Sequence, residues 1–258
     1  MDKQRPVTAA QRTWSYLAVM GGIVGVLAAV AGAGAGLSYR SDLLALREAF
    51  ELLRWAAYGG AAGAALSIAG LVRTWPGSSR RGFWVAMLGL VTGAATFGLP
   101  YSHYRLAKKL PPIHDITTDT RTPPQFHAVL PLRGDAANSL EYGGDALAAQ
   151  QRDAYPDIRP LVTPLPHSRV FEAVLETAMR SRWEVVDSSP VAGRLEAVDS
   201  TPWFGFRDDV VVRVTDQEGG TRVDVRSVSR VGVSDVGRNA QRIRNYLNDL
   251  RSRIGSEQ

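Results

Sequence analysis

The residue types able to carry chemistry gather in the second half of the chain. Ser227, Ser229, Ser234 and Asp235 invite a hydrolase reading, because serine hydroxyls beside a carboxylate supply part of an acyl-transfer triad. The remaining part is missing locally. There is no G-x-S-x-G elbow and no histidine after His167, so only His114, His127 or His167 folding back can act as base. The four histidines, including His103, show neither HExxH nor an i, i+4 pair. No metal site is therefore expected, and nothing calls for a cofactor. A broader enzymatic alternative is a membrane-bound hydrolase or transferase built from Asp208, Asp209 and Asp224 with the guanidinium groups of Arg226 and Arg230.

Two stretches suggest binding instead. Arg230-Val-Gly-Val-Ser-Asp-Val-Gly-Arg238 places Arg230, Gly232 and Arg238 around Ser234 and Asp235, just before a helix. Free N–H groups and the helix dipole at such a start suit an anion, to which Asp224 and Arg226 can add polar contacts. The competing reading gives those donors to Ser234 or Asp235 as an ordinary N-cap. Thr201-Pro-Trp-Phe-Gly-Phe206 carries Trp203, Phe204 and Phe206 between two strands. These rings either complete the core or form an exposed tip for a lipid or a partner protein.

The elements that position these residues follow from periodicity. Ser168 can cap a helix whose Val170, Phe171, Val174, Leu175, Ala178 and Met179 share one face. Trp183 to Val186 and Arg194 to Val198 read as strands, as do the alternating valines 210, 212 and 214 and the segment Thr221 to Ser229 after a Glu218-Gly-Gly220 turn. A last helix from about Asn239 stripes Ala240, Ile243, Leu247, Leu250 and Ile254. The expected product is a soluble α+β two-layer domain over 167–258, with two helices on an antiparallel sheet of four to five strands. On the sheet face opposite the valines, Arg194, Glu196, Arg213, Asp224 and Arg226 read either as a polar-ligand surface or, more simply, as a solvated face laced by cross-strand ion pairs.

Before this domain, nine of the fourteen prolines fall between Leu110 and Pro166. Missing N–H donors and fixed φ angles predict an irregular connector over 105–166, with Ala137 to Gln151 least ordered and an edge strand near Ile158 to Pro164.

Residues 1–104 read as a membrane region with about three transmembrane helices, near 16–37, 55–72 and 83–102, bracketed by aromatic residues such as Trp14, Trp55, Trp84 and Tyr101. Ser41 to Arg54 reads as an amphipathic helix capped by Ser41 or Asp42, lying on the membrane or extending the second span into water. Small residues recur four apart (Gly21 and Gly25, Gly32 and Gly36, Gly59 and Gly63, Gly89 and Gly93), a spacing that serves either a compact bundle or a homo-oligomer. The stretch Ala31-Gly-Ala33 also fits the end of a cleaved leader.

Charge is divided unevenly. Up to Tyr104 nine basic residues face four acidic ones, whereas beyond it 21 face 21. The excess thus sits beside the spans as a topology signal, so no nucleic-acid partner is expected. The acid-free loop Arg73 to Arg81 predicts a cytoplasmic loop, hence a C-terminal domain outside the cytoplasm of an inner or plasma membrane.

Asp115-Ile-Thr-Thr-Asp119 with Pro123-Pro124, Tyr155-Pro-Asp157, and Val223-Asp-Val-Arg-Ser-Val-Ser-Arg-Val-Gly232 with Ser234-Asp235, Gly237, Asn239-Ala240 and Arg242-Ile-Arg244 resemble domain of unknown function 1499. The resemblance runs over roughly 111–253 and implies no activity, substrate or cofactor. The functional expectation is a membrane-anchored envelope protein, whose exported domain binds a partner protein or a lipid-like ligand beside the bilayer.

Overall fold

The computed structural model describes residues 12–134 and 136–255, in two compact units that meet in the chain at Tyr104 and Arg105. The first unit holds three helices, α1 (Tyr16–Arg40), α2 (Leu46–Arg73) and α3 (Phe83–Ala107), each long and apolar enough to cross a membrane. A two-residue ribbon pairs β1 (Thr13–Trp14) with β2 (Arg80–Arg81), which brings Arg12 and the loop between α2 and α3 to the same end of the bundle.

Glycine spacing determines how close these helices come. A Cβ on Gly21 would lie 2.5 Å from Ser67 Oγ, one on Gly63 2.7 Å from the Gly25 amide, and one on Gly93 2.5 Å from the Gly60 carbonyl. The small faces therefore meet one another within a single chain, where close backbone approach supplies the dispersion contacts that lipid tails cannot. The amphipathic segment is continuous with the second span, as one of its two readings held. Its cap differs from expectation: Leu43 and Ser41 lie in the turn, and Ala45 is the N-cap, with its amide donated to Glu48 at 2.9 Å. Ser41 instead closes α1 through its own amide.

In the second unit, β3 (Asp115–Thr117), α4 (Gly144–Ala154), β4 (Leu161–Thr163), α5 (His167–Arg180), β5 (Glu184–Ser189), β6 (Arg194–Ser200), β7 (Arg207–Gln217), β8 (Gly220–Ser229) and α6 (Arg238–Gly255) follow in order. The antiparallel sheet runs β3-β8-β7-β6-β5, with β4 also on β8. It has six strands. The extra one, β3, is three residues long, too short for alternation to reveal. α5 starts from Pro166 rather than Ser168, and the span expected to be least ordered, 137–151, contains the first two turns of α4.

Alternation along the strands produces two cores. Leu195, Ala197, Val210, Val212, Val214, Val223 and Val225 face Val170, Phe171 and Val174 of α5 and Ile243, Leu247 and Leu250 of α6. Burying each of the valine, leucine, isoleucine and phenylalanine side chains fully contributes roughly 1.5–3 kcal/mol. Trp183, expected in β5, sits just before it, stacked on Tyr246 at 4.6 Å. The opposite face is not solvated. The Pro-rich segment lies across it, so that Phe126 and Val129 close a second core with Val198, Val211 and Val228. The segment expected to act as a connector is thus a third layer of the domain.

Candidate functional site

Of the charged residues singled out in the sequence, Glu196, Asp224 and Arg226 lie between the sheet and this third layer. Arg226, fully buried on β8, forms a two-pronged pair with Asp115 of β3, Nε–Oδ1 3.0 Å and Nη2–Oδ2 2.8 Å. It also donates to the carbonyls of Pro124 (3.1 Å) and Leu140 (2.8 Å), and its guanidinium lies 5.3 Å from the Phe126 ring and 5.4 Å from the Tyr142 ring. One strand arginine therefore holds three separate points of the Pro-rich layer. A buried guanidinium tolerates desolvation only when its donors are used in this way.

Asp224, two residues earlier, accepts from Thr118 Oγ1 at 3.0 Å, Arg213 Nη2 at 2.9 Å and Arg222 Nε at 2.8 Å. Arg213 and Arg222 also reach Asp119, at 3.0 and 3.2 Å. Burial pushes the Asp119 carboxyl up, but hydrogen bonds from the amide and hydroxyl of Thr122, the Arg121 amide and Arg213 outweigh it and hold it at about 2. Glu196 accepts the amides of His127 and Val129 at 2.8 and 3.0 Å, which satisfies donors that the irregular backbone leaves without a ladder partner. Arg194 Nε lies 3.0 Å from Glu196 as a charge pair that is not aligned as a hydrogen bond.

At the end of the sheet where β8 leads into α6, Asp209 is gripped by Arg230 (Nη2–Oδ1 2.7 Å) and by Arg133. Desolvation pulls the Arg133 guanidinium below its ordinary range, and the nearby Asp209 charge opposes that pull. Arg242 of α6 joins Asp199 at 2.8 Å and Asp208, while Asn239 reaches the His114 carbonyl and Ser229 Oγ. Ser227 Oγ donates to Asn239 Oδ1 at 2.7 Å. Ser227 and Ser229 are thus partners of α6; His114 does fold back here, its carbonyl accepting the Ser229 amide at 3.0 Å, but its Nδ1 lies 3.4 Å from the Val233 carbonyl and not on a serine hydroxyl.

In the arginine and glycine loop the amides leading into α6 are taken by a side chain of the loop itself. Asp235 Oδ1 accepts the Gly237 amide at 2.8 Å and Oδ2 the Asn239 amide at 2.7 Å, the donors an incoming anion would need. Burial pushes the Asp235 carboxyl up, and the two amides pull against it. Ser234 Oγ takes the Val236 amide, Arg230 turns inward to Asp209, and Arg238 stands exposed at the start of the helix. Gly232, at φ 95°, occupies a conformation that favours glycine and presents its carbonyl to Asn138 Nδ2 at 2.9 Å. In the aromatic turn Phe204 is buried, stacked on Phe206 at 5.0 Å, while Trp203 packs edge-on against Phe204 and is partly exposed.

Sequence reasoning missed Asp115, Asp119, Arg133, Asn138 and Gln151. The resemblance motif pointed at Asp115 and Asp119 without giving them a role. Gln151 mimics a strand: its Oε1 accepts the Thr117 amide at 2.9 Å and its Nε2 donates to the Thr117 carbonyl at 2.7 Å, so the outer edge of β3 is closed by a side chain.

Beside Gln151 an open recess of about 440 Å³ is lined by Thr120, Arg121, Tyr142, Gly144, Asp145 and Arg152. Arg152 donates to Thr120 Oγ1 at 3.1 Å. Burial, followed by the negative charge of Asp115, pushes the Tyr142 hydroxyl up to about 12, so it is a neutral donor and acceptor there. Among the described residues, no three histidine or acidic side chains cluster as metal ligands.

A family profile described as Protein of unknown function (DUF1499) matches residues 115–250. No curated protein and no solved structure matches the chain.

Proposed function

The chain belongs to the DUF1499 family, and we propose that it is a membrane-anchored cell-envelope protein whose C-terminal domain, outside the cytoplasm, binds a lipid-like ligand or a partner protein rather than catalysing a reaction. The observation that carries this reading is the fate of the acids. Asp208, Asp209 and Asp224 are all buried and bonded to arginines, so none is placed to take a proton from, or attack, a bound substrate. Arg226 and Arg230 are equally committed.

A recess beside α4 is open to solvent. Exposed Arg121 and Arg152, with the Thr120 hydroxyl, offer donors that an anionic or polyhydroxylated head group needs. The assignment of sides is supported by the pairing of β1 with β2, which collects Arg12, Arg80 and Arg81 at one end of the bundle with no acid among them.

The test is mass spectrometry of the full chain purified in mild detergent, as the natural sequence and as an Arg121→Ala, Arg152→Ala double variant. Loss of a co-purifying small molecule from the double variant supports the reading. Retention of that molecule overturns the recess, and a measurable hydrolase or transferase activity abolished by Asp209→Asn in a folded chain overturns the non-catalytic assignment.

A further inference from the structure

We propose that the end of the sheet formed by the β6–β7 turn, the β8–α6 loop and the 3-10 turn Leu130–Leu132 lies in the bilayer interface, as a second, peripheral contact of the domain with lipid. Hydrogen bonds make these segments one surface. The Arg230 amide donates to the Arg207 carbonyl at 3.0 Å, Arg230 Nη1 to the Leu132 carbonyl at 2.8 Å, and Asn138 Nδ2 to the Gly232 carbonyl at 2.9 Å. From this surface project Leu130 (53% exposed), Leu132 (51%), Trp203 (41%) and Val233 (75%). Four apolar side chains, one of them a tryptophan, are the residue types that insert at head-group depth.

Covalent continuity names the occupant. The last span is followed directly by this end of the domain: α3 closes at Ala107, and Leu110 already packs on the β8–α6 loop, its Cδ1 3.1 Å from where a Cβ on Gly237 would stand. The amide of Asp235 donates to the Ile113 carbonyl at 3.2 Å in the same region. Only Lys108 and Lys109 intervene in the chain between α3 and Leu110. Charge agrees. Arg105, Lys108, Lys109, Arg207 and Arg238 are exposed here or on the tether, the complement of anionic head groups. The opposite end of the sheet carries Val191, fully exposed on the β5–β6 turn, and has no such tether. The inference rests on the helices crossing a membrane and not on the recess holding a ligand.

The absence of cysteine makes the test direct. Single substitutions Leu132→Cys, Trp203→Cys, Val233→Cys and Val191→Cys in the full chain are spin-labelled and reconstituted into vesicles of phosphatidylcholine with phosphatidylglycerol. Collision with oxygen, which concentrates in lipid, is then compared with collision with a water-soluble nickel chelate. The expected result is an oxygen-to-nickel ratio several-fold higher at 132, 203 and 233 than at 191. An aqueous profile at all four positions overturns the proposal, and so does protection from both reagents at the first three, which marks a protein partner. Val233 stands in an exposed loop, so its variant decides the matter even if Trp203→Cys fails to fold.

Discussion

Arg226 and Asp115, 111 positions apart, meet in a buried two-pronged ion pair with both bonds at or below 3.0 Å. The pair sits where the Pro-rich layer crosses β8, and the same guanidinium also holds two carbonyls of that layer. Arg226→Ala should therefore cost about 3–5 kcal/mol, because it strands Asp115 without its partner in a dry site. Replacing both partners with apolar residues, Asp115→Leu with Arg226→Met, should recover part of that loss. Denaturant unfolding of the full chain in detergent, followed by near-ultraviolet circular dichroism, measures both.

A second expectation concerns acid. The carboxyl of Asp119 is held at about 2 in the folded chain against an ordinary 3.8. A lowered folded value stabilises above the ordinary one, and that stability is lost as pH falls through the folded one. Stability should hence decline between about pH 4 and about pH 2, and Asp119→Asn should flatten the decline while lowering stability at neutral pH. Thermal unfolding across that range shows whether the slope depends on residue 119.

Gln151 supplies the third. Truncation to Ala leaves the amide and carbonyl of Thr117 without partners at a buried edge, at a cost of about 1–3 kcal/mol for each group that water cannot reach. Gln151→Glu should fall between, since a carboxylate accepts from the amide but has no proton for the carbonyl. Hydrogen exchange at Thr117 should accelerate in both variants, and unchanged protection would mean that the edge is closed by something else.

In the membrane unit, Gly21→Val and Gly89→Val should break the bundle, because even a Cβ would fall within 2.5 Å of Ser67 Oγ. Gly34→Ala and Gly98→Ala should be neutral or slightly stabilising, with no atom within 4 Å of the new carbon. Thermal aggregation in detergent, read by size exclusion, ranks the four.

The sequence displayed those elements whose signal is local. Ile243, Leu247 and Leu250 announce α6 by their spacing, and Val210, Val212 and Val214 announce β7 by alternation. Asp224 and Arg226 were correctly placed opposite the valines, yet their surroundings were not legible. Whether a polar face meets water or another segment depends on contacts over a hundred positions away, such as Asp115, and no periodicity encodes those. Phe126, Val129 and Leu140 close that face from irregular backbone, where apolar residues follow no repeat. The clue present was chemical rather than periodic: Asp115 and Asp119 stand in the motif shared with the family, amid prolines rather than in a repeating pattern. In the loop at Arg230, the arginine and Gly232 serve different neighbours, Asp209 and Asn138, that no local pattern pairs with them.

Strand β8 has partners on both sides that all precede it in the chain, with β3 and β4 along one edge and β7 along the other. During synthesis, the Pro-rich layer must therefore wait. Its acids at 115 and 119 have no guanidinium to meet until residues 213–226 have emerged, and neither early strand has a ladder before then. Contacts of such long sequence separation make for slow closure. Over that interval the segment between the last membrane helix and α5 is the part of the chain most open to proteases and to pairing with the wrong strand, and the arrival of one arginine-bearing strand ends that exposure for both early strands together.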